Sequence, residues 1–116
     1  MAIATGLSGI FSLTRSEIDA NVSRSIGAYL LGDVLLPDNS LTIRYAGRSD
    51  DDLNGRLKDW IGKYRYFMYG HFPNATAAYE KECLLYHAFG GAQGRLDNEI
   101  HPAKPYAWNH CPACGA

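Results

Sequence analysis

The sequence predicts an α+β fold: a small three-stranded, mainly antiparallel sheet flanked by helices and followed by a loop-rich tail. Three observations carry this. Apolar runs of strand length alternate with segments of helical period. Clusters of Pro, Gly, Asn and Asp separate them. The C-terminal stretch, with Pro102, Pro105 and Pro112, keeps neither period.

Taken in order, residues 1–13 lack a clear period and read as an arm. Thr14-Arg-Ser-Glu17 has capping-box spacing and opens a short helix over SEIDANV, completing an N-terminal segment 1–25. IGAYLLGDVLL (26–36) is a strand broken near Gly32-Asp33. PDNS (37–40) turns, and LTIRYAG (41–47) returns as the second strand of a hairpin. DDLNGRLKDWIGK (51–63) sets Leu53, Leu57, Trp60 and Ile61 on one side of a helix with Ser or Asp caps. YRYFMYGHF (64–72) is the third strand. NATAAYEKECLLYHAF is a helix that ends before Gly90-Gly91. The core spans 26–98 and the tail 99–116, within one compact domain of 116 residues.

Bulk properties exclude several classes. No apolar run reaches membrane-spanning length, so no membrane association is expected. The N-terminus lacks a basic leader and a strong apolar segment, which speaks against a signal peptide. A net charge of −1 argues against a non-specific polyanion binder. Even so, six of the eleven Lys and Arg fall between Arg44 and Arg65, enough for a local basic face or a solvated helix surface. Three cysteines, two of them in CPAC, fit an intracellular metal site better than a disulfide framework. The expected location is the reducing cytoplasm, where the sequons at Asn21 and Asn74 are chance matches.

Tyr29 in GAY and Tyr45 in YAG hold matching places on adjacent strands, each beside a glycine that permits close backbone approach. Arg56 borders the buried stripe of its helix, where a surface salt bridge is the plain alternative. The set GAY (27–29), YAG (45–47), L-x-x-R-L (53–57) and a later helix with a glutamate resembles the GIY-YIG nuclease domain over about residues 26–98. Both middle isoleucines of the signature are alanine here.

The resemblance implies hydrolysis of a DNA phosphodiester assisted by Mg²⁺ or Mn²⁺, leaving a 5′-phosphate and a 3′-hydroxyl. Such chemistry needs a deprotonated water, charge stabilisation at the phosphorus and help for the leaving oxygen. By resemblance Tyr45 activates the water with Tyr29 beside it, and Arg56 holds the scissile phosphate. A phenol is a base only where its surroundings favour phenolate. Asn98 matches the asparagine that closes the motif set. For the metal ligand the helix offers Glu80 and Glu82; flanking apolar residues Ala78, Tyr79, Leu85 and Tyr86 favour Glu82.

The C-terminal CPAC turn presents Cys111 and Cys114 to a zinc ion. Cys83 and His87 share a helical face and supply a second pair, with His101 or His110 as replacements for His87. The plain alternative is a core cysteine and a helix-terminal cation. At 100° per residue Glu82 points about 100° from Cys83 and about 140° from His87, so zinc there leaves Glu82 free. In YRYFMYGHF one face must be core, while the other packs under a helix or stacks bases, and His71 is a further candidate for the chemistry. The main expectation is a DNA endonuclease with a structural zinc, its specificity supplied by loops, a homodimer or a partner protein. The alternative is a non-catalytic nucleic-acid- or protein-binding module that keeps the fold and the zinc.

Overall fold

The computed structural model describes residues 5–115. Its sheet has four antiparallel strands in the order β1-β4-β2-β3. These are β1 (Ser8–Ser12), β2 (Gly27–Leu35), β3 (Leu41–Ser49) and β4 (Tyr66–His71), with helices α1 (Arg15–Asn21), α2 (Leu53–Lys58) and α3 (Ala75–Ala88). The hairpin, the three helices and the aromatic strand stand where the sequence put them.

The fourth strand is the correction. Part of the expected arm is β1, paired with β4 through Ser8, Phe11 and Ser12; the arm's first four residues lie outside the described residues. The 51–63 helix is also shorter than its apolar spacing implied. Beyond Lys58 the chain continues in i→i−3 turns and then passes Gly62 at φ +89°.

Local chemistry explains the ends of the helices. The Thr14 hydroxyl accepts from the Glu17 N–H, Asp52 from the Gly55 N–H and Asn74 from the Ala77 N–H, satisfying donors the first turn leaves open. Asn54, buried in α2, donates to the Val22 carbonyl and ties the two small helices together.

β2 is central, and Gly27 to Gly32 are buried without interruption. This explains a continuous apolar run instead of alternation, since both faces are covered. On one face Tyr29, Leu31 and Phe67 pack against Ile18, Leu53 and Leu57 of α1 and α2. On the other, Leu30, Ile43 and Ala46 pack against Leu85 and Tyr86 of α3. β4 is covered likewise, Phe67 and Tyr69 on the first side and Tyr66 and Met68 on the second. Both faces of the aromatic strand are therefore packing surfaces.

Two bulges set the phase of the hairpin. Tyr45 pairs Leu31 while Ile43 pairs Gly32, so Arg44 has no opposite residue; Asp33 is skipped in the same way on β2. Past Arg44 the faces are reassigned: Ala46 joins Leu41 and Ile43 on the α3 side, while Tyr45 turns toward α2.

Gly47 lies opposite Tyr29, and a Cβ there would stand 2.5 Å from the phenol Cζ and oxygen. Gly47→Ala should therefore displace the buried ring and lower unfolding stability by about 1–3 kcal/mol, read by denaturant titration. An unchanged midpoint would refute this account of the glycine.

Candidate functional site

β3 is an edge strand, and its outer side is closed by chain from beyond α3 rather than by another strand. The Asp97 N–H donates to the Arg44 carbonyl at 2.6 Å. The Asn98 side chain completes the edge, its Oδ1 accepting from the Ala46 N–H at 3.0 Å and its Nδ2 donating to the Ala46 carbonyl at 2.8 Å. Asp97 is held in turn by Arg44 and by the Tyr64 hydroxyl.

Beyond this clamp lies a cavity of about 500 Å³ whose lining includes Tyr45, Arg48, Arg56, Glu82, Asn98 and His101. Four residues singled out in the sequence (Tyr45, Arg56, Glu82 and Asn98) thus meet at one opening. Tyr29 does not line it. It is buried beneath, 6.3 Å from the Tyr45 ring in a stacked pair, and its oxygen accepts from Trp60 Nε1 at 2.8 Å. Glu80 is exposed on α3, whereas Glu82 is 7% exposed and faces the cavity. His71 stands apart from the cavity; its ring contacts the Ser23 N–H, the Ser25 hydroxyl and the Ile26 carbonyl and pins the entry to β2.

Sequence reasoning passed over Arg48. Its Nη1 donates to Glu82 Oε1 at 2.7 Å and its Nε to Asp50 Oδ1 at 2.7 Å, with the guanidinium 5.3 Å from the centre of the Tyr79 ring. The signal was its place directly after YAG, on the strand face opposite Tyr45. Arg56 differs: it is exposed, lines the same cavity, and has no ion pair among the described residues.

The electrostatics follow from burial. Desolvation raises the Glu82 carboxyl from 4.5 to about 7, against the pull of Arg48 and with a further push from Asp50. Burial also raises Tyr45, Glu82 adds to the rise, and Arg56 opposes it. Tyr29 is held far above the usual phenol range, first by burial and then by Tyr45. Both phenols are therefore neutral hydrogen-bonding groups at neutral pH, not standing bases.

A second cluster sits beside the first. One ligand atom each from His87, His101, Cys111 and Cys114 lies within 4.8 Å of every other, a group that can hold a metal ion. His87 Nε2 is buried without a hydrogen-bond partner, a state that costs about 1–3 kcal/mol unless something binds it. The His101 Nδ1 lies 3.0 Å from the Pro102 carbonyl, which fixes the tautomer with the Nε2 lone pair aimed at Cys114 Sγ, 3.5 Å away. Burial raises the Cys111 thiol, but the N–H groups of Cys114 and Ala113, with His101 and Cys83, outweigh this and bring it to about 6. That is the chemistry of a thiolate ligand in a tight turn.

The ligand set expected from sequence changes by one residue. His101 takes the position given to Cys83, beside His87 rather than in its place; His110 is exposed and outside the group. Cys83 does share a helical face with His87, but one turn earlier that face is core. The thiol is fully buried against Tyr79 and Cys111, and burial pushes it up to about 12.

No protein-family model matches the chain, and no curated protein or solved structure matches it. No helix among the described residues is long and apolar enough to cross a membrane.

Glu82 should titrate near pH 7 in protein free of added divalent cation, followed by the side-chain carboxyl carbon signal in NMR. Since its folded value lies above 4.5, protonation stabilises the fold; that contribution is complete below about 4.5 and lost as pH rises through about 7. Arg48→Gln should move the midpoint higher still. A midpoint below 5 in the parent protein would contradict the desolvated carboxyl.

Proposed function

We propose that this chain is a divalent-metal-dependent endonuclease that hydrolyses DNA phosphodiester bonds, with a structural zinc in its tail. One observation carries the reading. A tyrosine, an exposed arginine, a buried carboxylate and an asparagine from four separate segments converge on one open cavity. Asn98 also closes the β3 edge and Tyr45 also packs on the core, but packing requires neither the arginine nor the carboxylate at that opening.

Each side chain has a role its surroundings support. Arg56 offers a planar guanidinium to a phosphate, uncommitted to any carboxylate among the described residues. Tyr45, as a neutral phenol, orients the attacking water and donates to a phosphoryl oxygen. Tyr29 and Trp60 hold Tyr45 from below, through the stacked phenol and a ring 4.5 Å away. Asn98 fixes the backbone next to Tyr45.

Glu82 is the carboxylate suited to Mg²⁺ or Mn²⁺. Such ions are commonly held by one or two carboxylates, with the remaining ligands from water and substrate phosphate, and Arg48 occupies one of its two oxygens. A bound ion would supply a lowered water pKa and neutralise charge at the phosphate. Arg48, paired with both Asp50 and Glu82, would hold the carboxylate in place while its second oxygen meets the ion.

For the tail, two thiolates and two imidazoles are soft and borderline donors that suit zinc. A tetrahedral zinc would set ligand atoms about 3.3–3.8 Å apart, given bonds of about 2.0–2.3 Å. The 3.5 Å between His101 and Cys114 already lies in that range. With its coordination filled by protein, this ion is structural.

The test is cleavage of supercoiled, single-stranded and branched DNA with Mg²⁺ or Mn²⁺. Arg56→Ala and Glu82→Ala should each lower the rate by about 10²–10³-fold or more. Glu80→Ala should leave it unchanged. Cleavage surviving in Glu82→Ala would move the metal ligand elsewhere. No cleavage on any substrate, with binding retained, would favour the non-catalytic module. Metal analysis of the purified protein should find zinc near one equivalent, reduced in Cys111→Ser; a content of a few tenths or less would defeat the zinc assignment.

A further inference from the structure

The cavity and the metal-holding group are not separate. His101 belongs to both: its ring lines the cavity, and its Nε2 is one of the four clustered ligand atoms. Its neighbours Ile100, Pro102 and Ala103 line the same cavity, as do Tyr45 and Arg56.

What holds the wall formed by 100–103 is specific. Upstream, the chain is pinned where Asn98 clamps Ala46. Downstream, it is pinned again where the Asn109 side chain donates to the Thr76 hydroxyl at the start of α3. Among the described residues, the hydrogen bonds of 99–105 come from the His101 ring, with Pro102 and with Cys114. The ring also packs 5.4 Å from Tyr86 and 5.2 Å from His87. A connection spanning those pins with so few bonds of its own has little to fix it apart from what fixes His101.

We propose that an ion on His87, His101, Cys111 and Cys114 builds one wall of the cavity, with His101 as the positioning residue. The metal does more than fold the tail. Coordination draws His101 against α3, which also carries Glu82, and thereby sets the distance between the Ile100–Ala103 wall and the carboxylate. Glu82 and His87 stand five positions apart, about 7.5 Å along a rigid helix, so the two sites cannot move independently on that side. The proposal rests on the metal-binding reading of the cluster. It rests on the nuclease reading only for its consequence in cleavage.

NMR backbone relaxation tests it on the full chain, loaded with zinc and stripped by a chelator, without Mg²⁺. In loaded protein the amides of Ile100, His101, Ala103 and Lys104 should have order parameters of about 0.8, falling below about 0.6 on stripping, while those of β2 and β4 stay rigid. His101→Ala should reproduce that fall with zinc present, His101→Cys should restore rigidity through a thiolate ligand, and His110→Ala should match the parent. Equal order parameters across 99–105 with and without zinc would overturn the proposal. So would loss of rigidity across the sheet on stripping, which would make the ion a requirement of folding rather than of the wall. The same preparations, given Mg²⁺ and DNA, separate the two readings. If loaded protein cleaves nothing yet 99–105 responds to zinc, the nuclease assignment fails and the wall stands.

Discussion

The arrangement depends on how the outer edge of β3 is closed. An open edge offers N–H and C=O groups to any passing strand. Here the Asp97 peptide and the Asn98 amide take those of Arg44 and Ala46. Because the closing groups come from beyond α3, the chain must cross from the helix layer to the strand edge before entering the tail. Only around an edge can side chains from both faces of a sheet meet. Tyr45 and Arg56 approach from the α2 side and Arg48 and Glu82 from the α3 side; strand alternation sets Tyr45 and Arg48 on opposite faces, and the bulge at Arg44 decides which face each takes. In a central strand such as β2 these groups would be walled apart.

That convergence has an electrostatic cost. Glu82 is desolvated enough to lie near neutrality in its titration, and Arg48 reduces the penalty without abolishing it. A domain selected for stability alone would place an apolar residue there, as α3 does at Ala78 and Leu85. The two arginines divide the work. Arg48 is committed to carboxylates and holds the interior charge, whereas Arg56 remains exposed and available. Under the proposed reading, phosphate and cation would supply the counter-charges to Arg56 and Glu82.

Much of this was legible because it follows local rules. Thr14, Asp52 and Asn74 announced their helices through side chains that cap. The apolar flanks of Glu82 put it, and not Glu80, toward the interior. What escaped reading depends on partners distant in sequence. β1 is five residues with a half-exposed pattern, and only its pairing with β4 makes it a strand. Arg48 looked like one of a basic run until Glu82 was brought to it from α3. The His101-for-Cys83 exchange is of the same kind. A helix periodicity ranks faces, but it does not say which turn of a face meets core and which meets a loop with free ligands.

The phase of α3 also keeps two unlike donor sets apart. Glu82 and His87 are offset by about 140° around the helix, one facing a carboxylate-containing, open cavity and the other a thiolate–imidazole cluster. Hard cations that retain water suit the first, and borderline ions that prefer sulfur and nitrogen suit the second. Selection by donor chemistry therefore needs no barrier between the sites, and one residue can touch both. His101 faces the cavity with its ring and the thiolates with Nε2, its tautomer set by Pro102. A carboxylate in its place would blur the two sets, and an apolar residue would disconnect them. Under the proposed reading, an imidazole there would coordinate on one nitrogen and present its ring to the cavity.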